Sequence, residues 1–304
     1  MKSRGYMDDV LTPEAASISD VERVHTSEFI EYLKTKGEGP LDPDTMMHPE
    51  TFEIALLAVG GTVLAVEKAV KDRKGHIALV RPPGHHAGPT YPGGFCYLNN
   101  IAVAAHKLLD TLKRVAILDF DAHHGNGTSE IFHEEPRVLY ISTHHYGIFP
   151  GTGAADDAGE GNGEGFNVNI PFTGGCGDSS FSLAMQEIIK PIVEQYKPEA
   201  ILVSFGGDAH YTDPLTGLAL SSQGYVDLMD ATDKLAKDTC GERIAIALEG
   251  GYNQAALSET LLATEAIFRG ESSSVKLNEN RDPDCAGKKI VQRVKEIQGR
   301  YWKL

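Results

Sequence analysis

Residues 114–126 read RVAILDFDAHHGN, a short apolar run followed at once by acidic residues and histidines. The apolar part, 114–118, shows no alternation with polar side chains, which is typical of a strand buried on both faces of a parallel sheet. In open α/β sheets, ligands bind at the carboxyl ends of the strands, where residues 119–126 would lie. This stretch therefore predicts an α/β fold and a functional site at one end of its sheet.

Four more apolar runs have the same character, and five other segments show helical periodicity. The additional predicted strands are 76–80, 137–141, 200–205 and 243–248. The predicted helices are 21–34, 51–71, 100–111, 181–196 and 224–237. Their alternation predicts a single-domain, three-layer α/β/α fold over residues 1–304, with a mostly parallel central sheet. A long segment with seven glycines, 146–165, is predicted to be a functional or disordered loop.

The composition excludes several classes of protein. With 41% hydrophobic and 23% charged residues, the 304-residue chain resembles ordinary globular proteins, not disordered, collagen-like or disulfide-scaffold ones. No apolar run reaches about 18 residues, so no membrane span is predicted. The four cysteines lie far apart without a CxxC pair, which indicates reduced thiols. The first residues, MKSRGYMDDVL, do not resemble a secretory signal, so we expect a cytoplasmic protein.

The formal net charge of -15 limits the partners that the chain can bind. Such a field repels phosphate backbones and attracts cations toward any cleft. We therefore expect a positively charged substrate and no nucleic acid partner.

Polar residues follow four of the five predicted strands. The segments are Arg81-Pro-Pro-Gly-His-His86, Asp119-Phe-Asp-Ala-His-His-Gly-Asn126, Gly206-Gly-Asp208 and Glu249-Gly-Gly-Tyr252. Because the carboxyl ends of parallel strands meet at one edge of a sheet, these side chains are predicted to lie together.

Asp119, Asp121 and His123 alternate along the chain, so an extended backbone would place their side chains on one face. A lone Asp-X-His segment is more often a polar strand end satisfied by backbone groups. Here Asp208 arrives from another strand end and adds a carboxylate. Two carboxylates and one imidazole leave a coordination position open, which is typical of a catalytic divalent metal site.

Other candidates each have a simpler interpretation. His85 and His86 could lie in a solvated loop, but with a carboxylate or amide beside each ring they would form a general acid–base pair. Tyr252 could be a rim aromatic, or could donate a hydrogen bond to a developing oxyanion. Phe95 and Phe149 lie in Gly/Pro-rich turns, where aromatics more often anchor the loop but could equally line an apolar channel.

The order and spacing of six motifs resemble those of the zinc-dependent histone deacetylase family: RPPGHHA, GFCYLNN, DFDAHHGNGT, IFPGTG, GGDAHYTDPL and EGGYN. The resemblance extends from about residue 21 to the carboxyl-terminal YWKL. It implies an arginase/deacetylase fold, one catalytic zinc ion and hydrolysis of N-acetylated amines. Asn126, where one branch of the family has Asp, resembles the class II and prokaryotic members.

The resemblance also implies a role for each matched residue. The zinc ligands would be Asp121, His123 and Asp208. His85 and His86 would be the histidine pair, with Asp119 and Asn126 as its partners. Tyr252 would polarise the carbonyl, and Phe95 and Phe149, with Gly94 beside them, would form the tunnel walls. Backbone oxygens around Asp119, Asp121, His123 and Ser142 would correspond to the structural potassium site of the family.

The amino-terminal region departs from the family pattern. A strand and a His-Pro-Glu segment usually precede the stretch VERVHTSEFIEYL, but only about twenty residues precede it here. The pocket is then either more open than usual or closed by a partner chain. In a homo-oligomer, that partner would be a second copy of this chain. Asp44 is the candidate acid for binding the substrate backbone. At the pocket mouth, Leu215 stands seven residues beyond Asp208, where polyamine-selective members have a glutamate.

We therefore predict a zinc-dependent deacetylase that acts on acyl-lysine side chains. Acetylpolyamines or other small amides are the alternative substrates. A manganese ureohydrolase would need more bridging carboxylates. An inactive acyl-lysine-binding module would lack a ligand or Tyr252, and this sequence lacks neither.

Overall fold

The computed structural model describes residues 9–304 and is built around one sheet of six parallel strands. In chain order, the strands of the described residues, including two outside this sheet, are β1 (Gly39–Pro40), β2 (Met46–Met47), β3 (His76–Ala78), β4 (Val115–Asp119), β5 (Val138–His145), β6 (Asn167–Phe172), β7 (Ala200–Phe205) and β8 (Ile244–Leu248). The main sheet has the order β3-β8-β7-β4-β5-β6, and each of its pairings is parallel. Strands β1 and β2 form a separate antiparallel pair.

Helices connect the strands and cover the sheet. They are α1 (Ile18–Val21), α2 (Ser27–Thr35), α3 (Thr51–Asp72), α4 (Asn100–Leu108), α5 (Asn126–Ile131), α6 (Asp178–Ala184), α7 (Lys190–Tyr196), α8 (Ser222–Cys240), α9 (Gln254–Phe268) and α10 (Lys288–Gln298). A π-helical segment, Met185–Ile189, joins α6 to α7, and a 3₁₀ turn covers Gly161–Gly163.

The two faces of the sheet belong to separate hydrophobic cores. Along β4, Leu118 packs into one core with α6, α7, α8 and α10, whereas its neighbour Ile117 packs into the other with α2, α3 and α4. This alternation follows from the two-residue period of a strand. It confirms the predicted three-layer α/β/α architecture.

All five predicted strands are present, but one strand of the main sheet and the short pair β1 and β2 were not predicted. The sequence 167–172 reads NVNIPF, in which asparagines alternate with Val168 and Ile170. It forms β6 at the edge of the sheet, and it escaped prediction because a half-polar run lacks the continuous apolar character of the central strands. Residues 146–165 form the irregular loop that was predicted, apart from the 3₁₀ turn.

The predicted helices differ from the observed ones mainly at their ends. In place of one helix over 21–34, the chain forms α1 and α2, because the Thr26 hydroxyl accepts a hydrogen bond from Phe29 N (3.3 Å) and begins a new helix. The predicted helix 181–196 is helical throughout but changes from α to π geometry over Met185–Ile189. Helices α5, α9 and α10 were not predicted. Asn253 begins α9 by accepting from two backbone N–H groups.

The amino-terminal part of the described chain contributes no strand to the main sheet, whose two edge strands are β3 and β6. The hairpin of β1 and β2 carries Asp44 in its turn. Within residues 9–304, no helix is long and apolar enough to cross a membrane.

Candidate active site and metal centre

The residues that follow three adjacent strands form one rim. Strands β8, β7 and β4 are neighbours in the sheet. Asp119 ends β4, Asp208 follows β7 after two glycines, and Tyr252 follows β8. The loop after β3, the next strand outward, carries His85 and His86. The topology thus brings all of these side chains to the carboxyl end of the sheet.

Asp121, His123 and Asp208 form a candidate metal centre. The potential ligand atoms of these three residues all lie within 4.8 Å of one another. His123 Nδ1 is 2.8 Å from Asp208 Oδ2 and 3.2 Å from Asp121 Oδ1. The strand ends at Asp119, so the extended backbone through His123 that would have placed all three side chains on one face does not form, and the Asp119 side chain contacts His85 instead.

The electrostatics of this cluster fit a cation. Asp121 and Asp208 are both buried. Burial and the negative charge of Asp121 raise the pKa of Asp208 to about 7, because two carboxylates so close together resist ionising side by side. Although burial opposes it, hydrogen bonds and charges from the same carboxylates raise the pKa of His123 to about 10. The pocket therefore favours positive charge where the three ligand atoms meet, and a divalent ion would satisfy both carboxylates.

Two glycines allow the carboxylates to approach the backbone. Gly250 N donates to Asp121 Oδ2 at 2.8 Å, and a Cβ at Gly250 would lie 2.6 Å from that oxygen and from Asp208 Oδ2. A Cβ at Gly206 would lie 2.4 Å from Asp121 Oδ2 and 2.5 Å from Asp208 Oδ1. These contacts give a physical reason for the glycines that follow β7 and β8.

His85 and His86 are adjacent rings, 4.0 Å apart between centroids, with different partners. His85 Nδ1 lies 3.1 Å from Asp119 Oδ2, and Tyr140 Oη donates to the same oxygen at 3.0 Å. Although burial opposes it, the charges of Asp119 and Asp121 raise the pKa of His85 to about 10. The two carboxylates therefore favour the charged, doubly protonated form of this ring.

His86 has the opposite character. Its Nδ1 lies 2.8 Å from Asn126 Oδ1, a neutral acceptor. Burial and the positive charge of His85 lower the pKa of His86 well below its usual value. A pair of titratable groups whose pKa values are driven apart is a signature of an acid–base site. His86 is the neutral member and His85 the charged one.

Tyr252 is positioned through its backbone. Asp213 Oδ2 accepts from Tyr252 N at 2.8 Å, while Asp213 Oδ1 accepts from Leu215 N at 2.9 Å. Burial and the charges of Asp121 and Asp208 raise the pKa of Tyr252, so its phenol keeps its proton and can donate it in a hydrogen bond. Asp213 lies within the GGDAHYTDPL motif, but sequence reasoning gave it no role.

Aromatic rings lie beside the histidines and the tyrosine. The Phe149 ring is 4.9 Å from the His86 ring, and the Phe95 ring is 6.0 Å from that of Tyr252. Gly94 has a positive φ of 54°, and a Cβ there would lie 2.5 Å from His86 Cδ2 and 2.8 Å from Phe149 Cε1. Gly94 is therefore part of the tight packing between this wall and the histidine pair.

Residues of the predicted mouth are exposed. The side chain of Leu215 is 51% exposed. Asp44 accepts a hydrogen bond from Thr45 Oγ1 (3.0 Å), which itself accepts from Phe95 N (3.0 Å). Burial and the neighbouring Asp42 raise the pKa of Asp44. The structure thus links Asp44 to the Phe95 wall through one threonine.

Glu249 is a buried carboxylate that sequence reasoning left without a role. Its Oε2 accepts from the backbone N–H of Gly84 (2.7 Å) and His85 (3.2 Å), and its Oε1 accepts from Ser204 Oγ (3.1 Å). Burial raises its pKa to about 7. Glu249 therefore ties the end of β8 to the backbone of the histidine pair. A signal existed in the sequence, since a carboxylate directly after a buried strand needs buried donors.

These features define a class of protein. A parallel α/β sheet presents two carboxylates and an imidazole that fit a divalent metal, next to a histidine pair with separated pKa values and a protonated tyrosine. Such a set is suited to hydrolytic chemistry on a polarised carbonyl.

Comparison with known proteins identifies the family. The sequence model of the histone deacetylase domain family matches residues 1–267. A probable deacetylase of Archaeoglobus fulgidus is 41% identical over 97% of this chain and 86% of its own length. A histone deacetylase-like amidohydrolase of Pseudomonas aeruginosa is 36% identical over 94% of this chain and 79% of its own. The crystal structure of the HDA15 HD domain superposes with a TM-score of 0.88 at 35% identity, covering 96% of this chain and 83% of that one.

The chain belongs to the histone deacetylase family, as its motifs predicted, and has the three-layer arginase/deacetylase fold. It is accordingly a hydrolase of the deacetylase type.

Proposed function

We propose that the chain catalyses zinc-dependent hydrolysis of N-acylated amines, with acyl-lysine side chains as its preferred substrates. The observation that carries the proposal is the meeting of Asp121, His123 and Asp208 beside two histidines with oppositely shifted pKa values. Membership of the deacetylase family supports the same reaction.

The donor set suits zinc. One imidazole nitrogen and two carboxylate oxygens, from His123, Asp121 and Asp208, would bind the ion and leave a position for solvent or substrate. When bound, such an ion supplies Lewis-acid polarisation of the amide carbonyl and lowers the pKa of water. Zinc is the metal we propose, and potassium near Asp119 and Ser142 stays a prediction of the family resemblance.

The side chains of the site can move the required protons. His86, neutral and with Nδ1 engaged by Asn126, presents Nε2 to take a proton from the attacking water. His85, paired with Asp119, supplies a positive charge beside the negative charge that develops. Tyr252 donates its hydroxyl hydrogen to the former carbonyl oxygen. The proton gained by the histidine pair then passes to the departing amine nitrogen.

Apolar groups at the entrance support acyl-lysine as the substrate. Phe95 and Phe149 can contact the methylene chain of a lysine side chain, and Leu215 offers no charge to a distant second ammonium group. The net charge of -15 favours acetylpolyamines as the second candidate, because long-range attraction acts on any cation.

Acetate release from a panel of acetyl-lysine peptides and acetylated polyamines tests this proposal. We expect release by the zinc-loaded protein, with a higher kcat/KM for the peptides and strongly reduced release by the Tyr252→Phe variant. Tight peptide binding without any acetate release would instead support an acyl-lysine-binding module. A higher kcat/KM for acetylpolyamines would reassign the substrate.

We also propose a cytoplasmic location, supported by the four unpaired cysteines, which suit a reducing compartment. Named relatives include chloroplastic proteins, so localisation of a tagged chain in its host is the direct measurement. Closure of the pocket by a second copy stays a hypothesis that light scattering of the purified protein addresses.

A further inference from the structure

The hydrogen bonds of His86 continue beyond Asn126 to the protein surface. Asn126 Oδ1 lies 2.8 Å from His86 Nδ1, and Asn126 Nδ2 donates to Tyr91 Oη at 3.1 Å. Tyr91 Oη in turn donates to Glu130 Oε2 at 2.5 Å. Neither Tyr91 nor Glu130 belongs to the residues that touch the metal centre or the expected substrate position.

The carboxylate at the outer end of this series, Glu130, sets the direction of all three hydrogen bonds. A carboxylate only accepts hydrogen bonds, so the hydroxyl hydrogen of Tyr91 must point to Glu130. Tyr91 Oη can then only accept from Asn126, which requires the amide NH₂ to face it. Asn126 Oδ1 must therefore face His86, and His86 Nδ1 must carry the hydrogen. The lone pair of the ring is left on Nε2.

The opposite orientation of the amide is disfavoured for the same reason. Turning Asn126 around would place Oδ1 against Tyr91 Oη, an oxygen whose hydrogen already points to Glu130. Tyr91 could donate to the turned amide only by leaving that carboxylate. An amide alone would allow either tautomer of His86, and the tyrosine–glutamate pair removes this ambiguity.

The position of Tyr91 is fixed by packing. Its ring lies against Gly88, where a Cβ would be 2.3 Å from Tyr91 Cζ and 2.7 Å from Oη, and Gly88 N donates to Tyr91 O at 2.9 Å. Burial and the hydrogen bond to Glu130 raise the pKa of Tyr91 to about 12, so the phenol keeps the hydrogen that it donates to Glu130.

We propose that Tyr91 and Glu130 are positioning residues that orient the Asn126 amide and thereby hold His86 in the Nδ1-protonated tautomer. The catalytic consequence rests on the proposed function, because only in hydrolysis does Nε2 act as the base. The tautomer itself is a property of the protein and can be measured without turnover.

Two variants interrupt the arrangement without disturbing the packing. Tyr91→Phe keeps the ring on Gly88 but removes the acceptor for Asn126. Glu130→Gln keeps the size of an exposed side chain but allows Tyr91 to donate to Asn126. The matched control is Tyr301→Phe, since Tyr301 Oη donates to Glu164 Oε1 at 2.7 Å in a pair of the same chemistry near the carboxyl terminus.

The test combines ¹⁵N NMR of the histidine rings in the zinc-loaded protein with steady-state kinetics. In the wild type we expect the His86 signals to show a protonated Nδ1 and an unprotonated Nε2. In Tyr91→Phe and Glu130→Gln we expect a mixture of tautomers and a kcat lowered roughly tenfold at unchanged KM. Tyr301→Phe should match the wild type in both measurements.

The outcomes separate this inference from the proposed function. Wild-type tautomer signals in both variants would overturn the inference, and so would a wild-type kcat or a change confined to KM. A wild-type protein that releases no acetate would count against the proposed function, while the NMR comparison would still decide the role of Tyr91 and Glu130.

Discussion

His85 and His86 are neighbours in the chain but have opposite electrostatic environments. A buried carboxylate, Asp119, stabilises the charged form of the first ring, and a neutral amide, Asn126, faces the second. The backbone of the pair is bound by a third group, Glu249. The chemistry of the two rings is therefore decided by residues on other strands and loops, not by their own sequence neighbours.

The metal ligands give the first prediction at this scale. Asp208→Asn keeps an acceptor for Ala122 N, which donates to Asp208 Oδ1 at 2.9 Å, but removes one negative charge. We expect the purified variant to retain much less zinc than the wild type, because one carboxylate and a neutral amide hold a divalent ion less firmly than two carboxylates. Elemental analysis measures this.

The control for Asp208→Asn is Asp233→Asn, a buried carboxylate of α8 that pairs with Lys237 at 2.7 Å. It should keep the full zinc content. Equal zinc content in the wild type and Asp208→Asn would remove Asp208 from the metal centre.

Tyr252 gives the second prediction. Tyr252→Phe preserves the ring beside Phe95 but removes the donor, whose hydrogen bond strengthens only as charge develops on the substrate oxygen. We expect kcat to fall by about a hundred- to a thousandfold, roughly 2.7 to 4 kcal/mol, with zinc content and melting temperature unchanged. Stopped-flow or steady-state acetate release measures this. An unaltered kcat would place Tyr252 outside the reaction.

At the scale of elements, His25 connects the start of α2 with the start of α4. Its Nε2 accepts from Asn99 N and its Nδ1 donates to Gly88 O, both at 2.9 Å. Burial lowers its pKa to about 4, from an ordinary value near 6.5. The ring is therefore neutral in the fold and stabilises it only while the unfolded chain is also neutral.

The lowered pKa of His25 makes the free energy of unfolding depend on pH. The contribution of His25 is fully present above about pH 6.5 and is lost as the pH falls toward 4, by about 1.4 kcal/mol per pH unit, since the unfolded state takes up the proton first. His25→Gln should be less stable than the wild type at pH 8, and this difference should shrink between pH 6.5 and 4. Urea unfolding at several pH values measures it, with the exposed His48→Gln as control. A difference that stays constant over this range would contradict the account.

The elements also show what the sequence could predict. The central strands were found because strands buried on both faces have continuous apolar sequences, as in β4 and β7. The edge strand β6 was missed because Asn167 and Asn169 interrupt its apolar residues. Helix α10 is strongly amphipathic, with Val291, Val294 and Ile297 buried, and their three-residue spacing could have been recognised.

The candidate site, like the fold, was predictable only in part. Asp121, His123 and Asp208 were placed together because they follow parallel strands, and the structure brings their ligand atoms together. Tyr91 and Glu130 gave no signal, because their contact joins a loop residue to helix α5 across a sequence separation of 39 residues. Periodicity and motif spacing do not predict contacts that depend on how a loop packs against the rest of the fold.

At the scale of the whole molecule, two effects act on substrate choice. The net charge of -15 attracts any cation at long range, whereas Leu215 gives a distant ammonium group no partner at short range. Salt separates these effects, since the Debye length falls to about 3 Å at 1 M. We expect kcat/KM for acetylpolyamines to fall more steeply with salt than that for a neutral acetyl-lysine peptide, with the peptide preferred at high salt.

Competition assays at low and high salt measure this preference. If an acetylpolyamine remains at least about tenfold preferred at high salt, a margin of roughly 1.4 kcal/mol, a direct contact at the mouth must bind its second charge and the argument from Leu215 is wrong.

The central claim is that this deacetylase-family chain hydrolyses N-acetyl groups with a divalent ion bound by Asp121, His123 and Asp208. The most direct measurement is acetate release from an acetyl-lysine peptide and an acetylated polyamine by the same protein before chelation, after complete removal of metal, and after addition of one equivalent of zinc. The account predicts that activity disappears with the metal and returns with zinc. Undiminished acetate release by the metal-free protein, or no release from either substrate by the zinc-loaded protein, would contradict it.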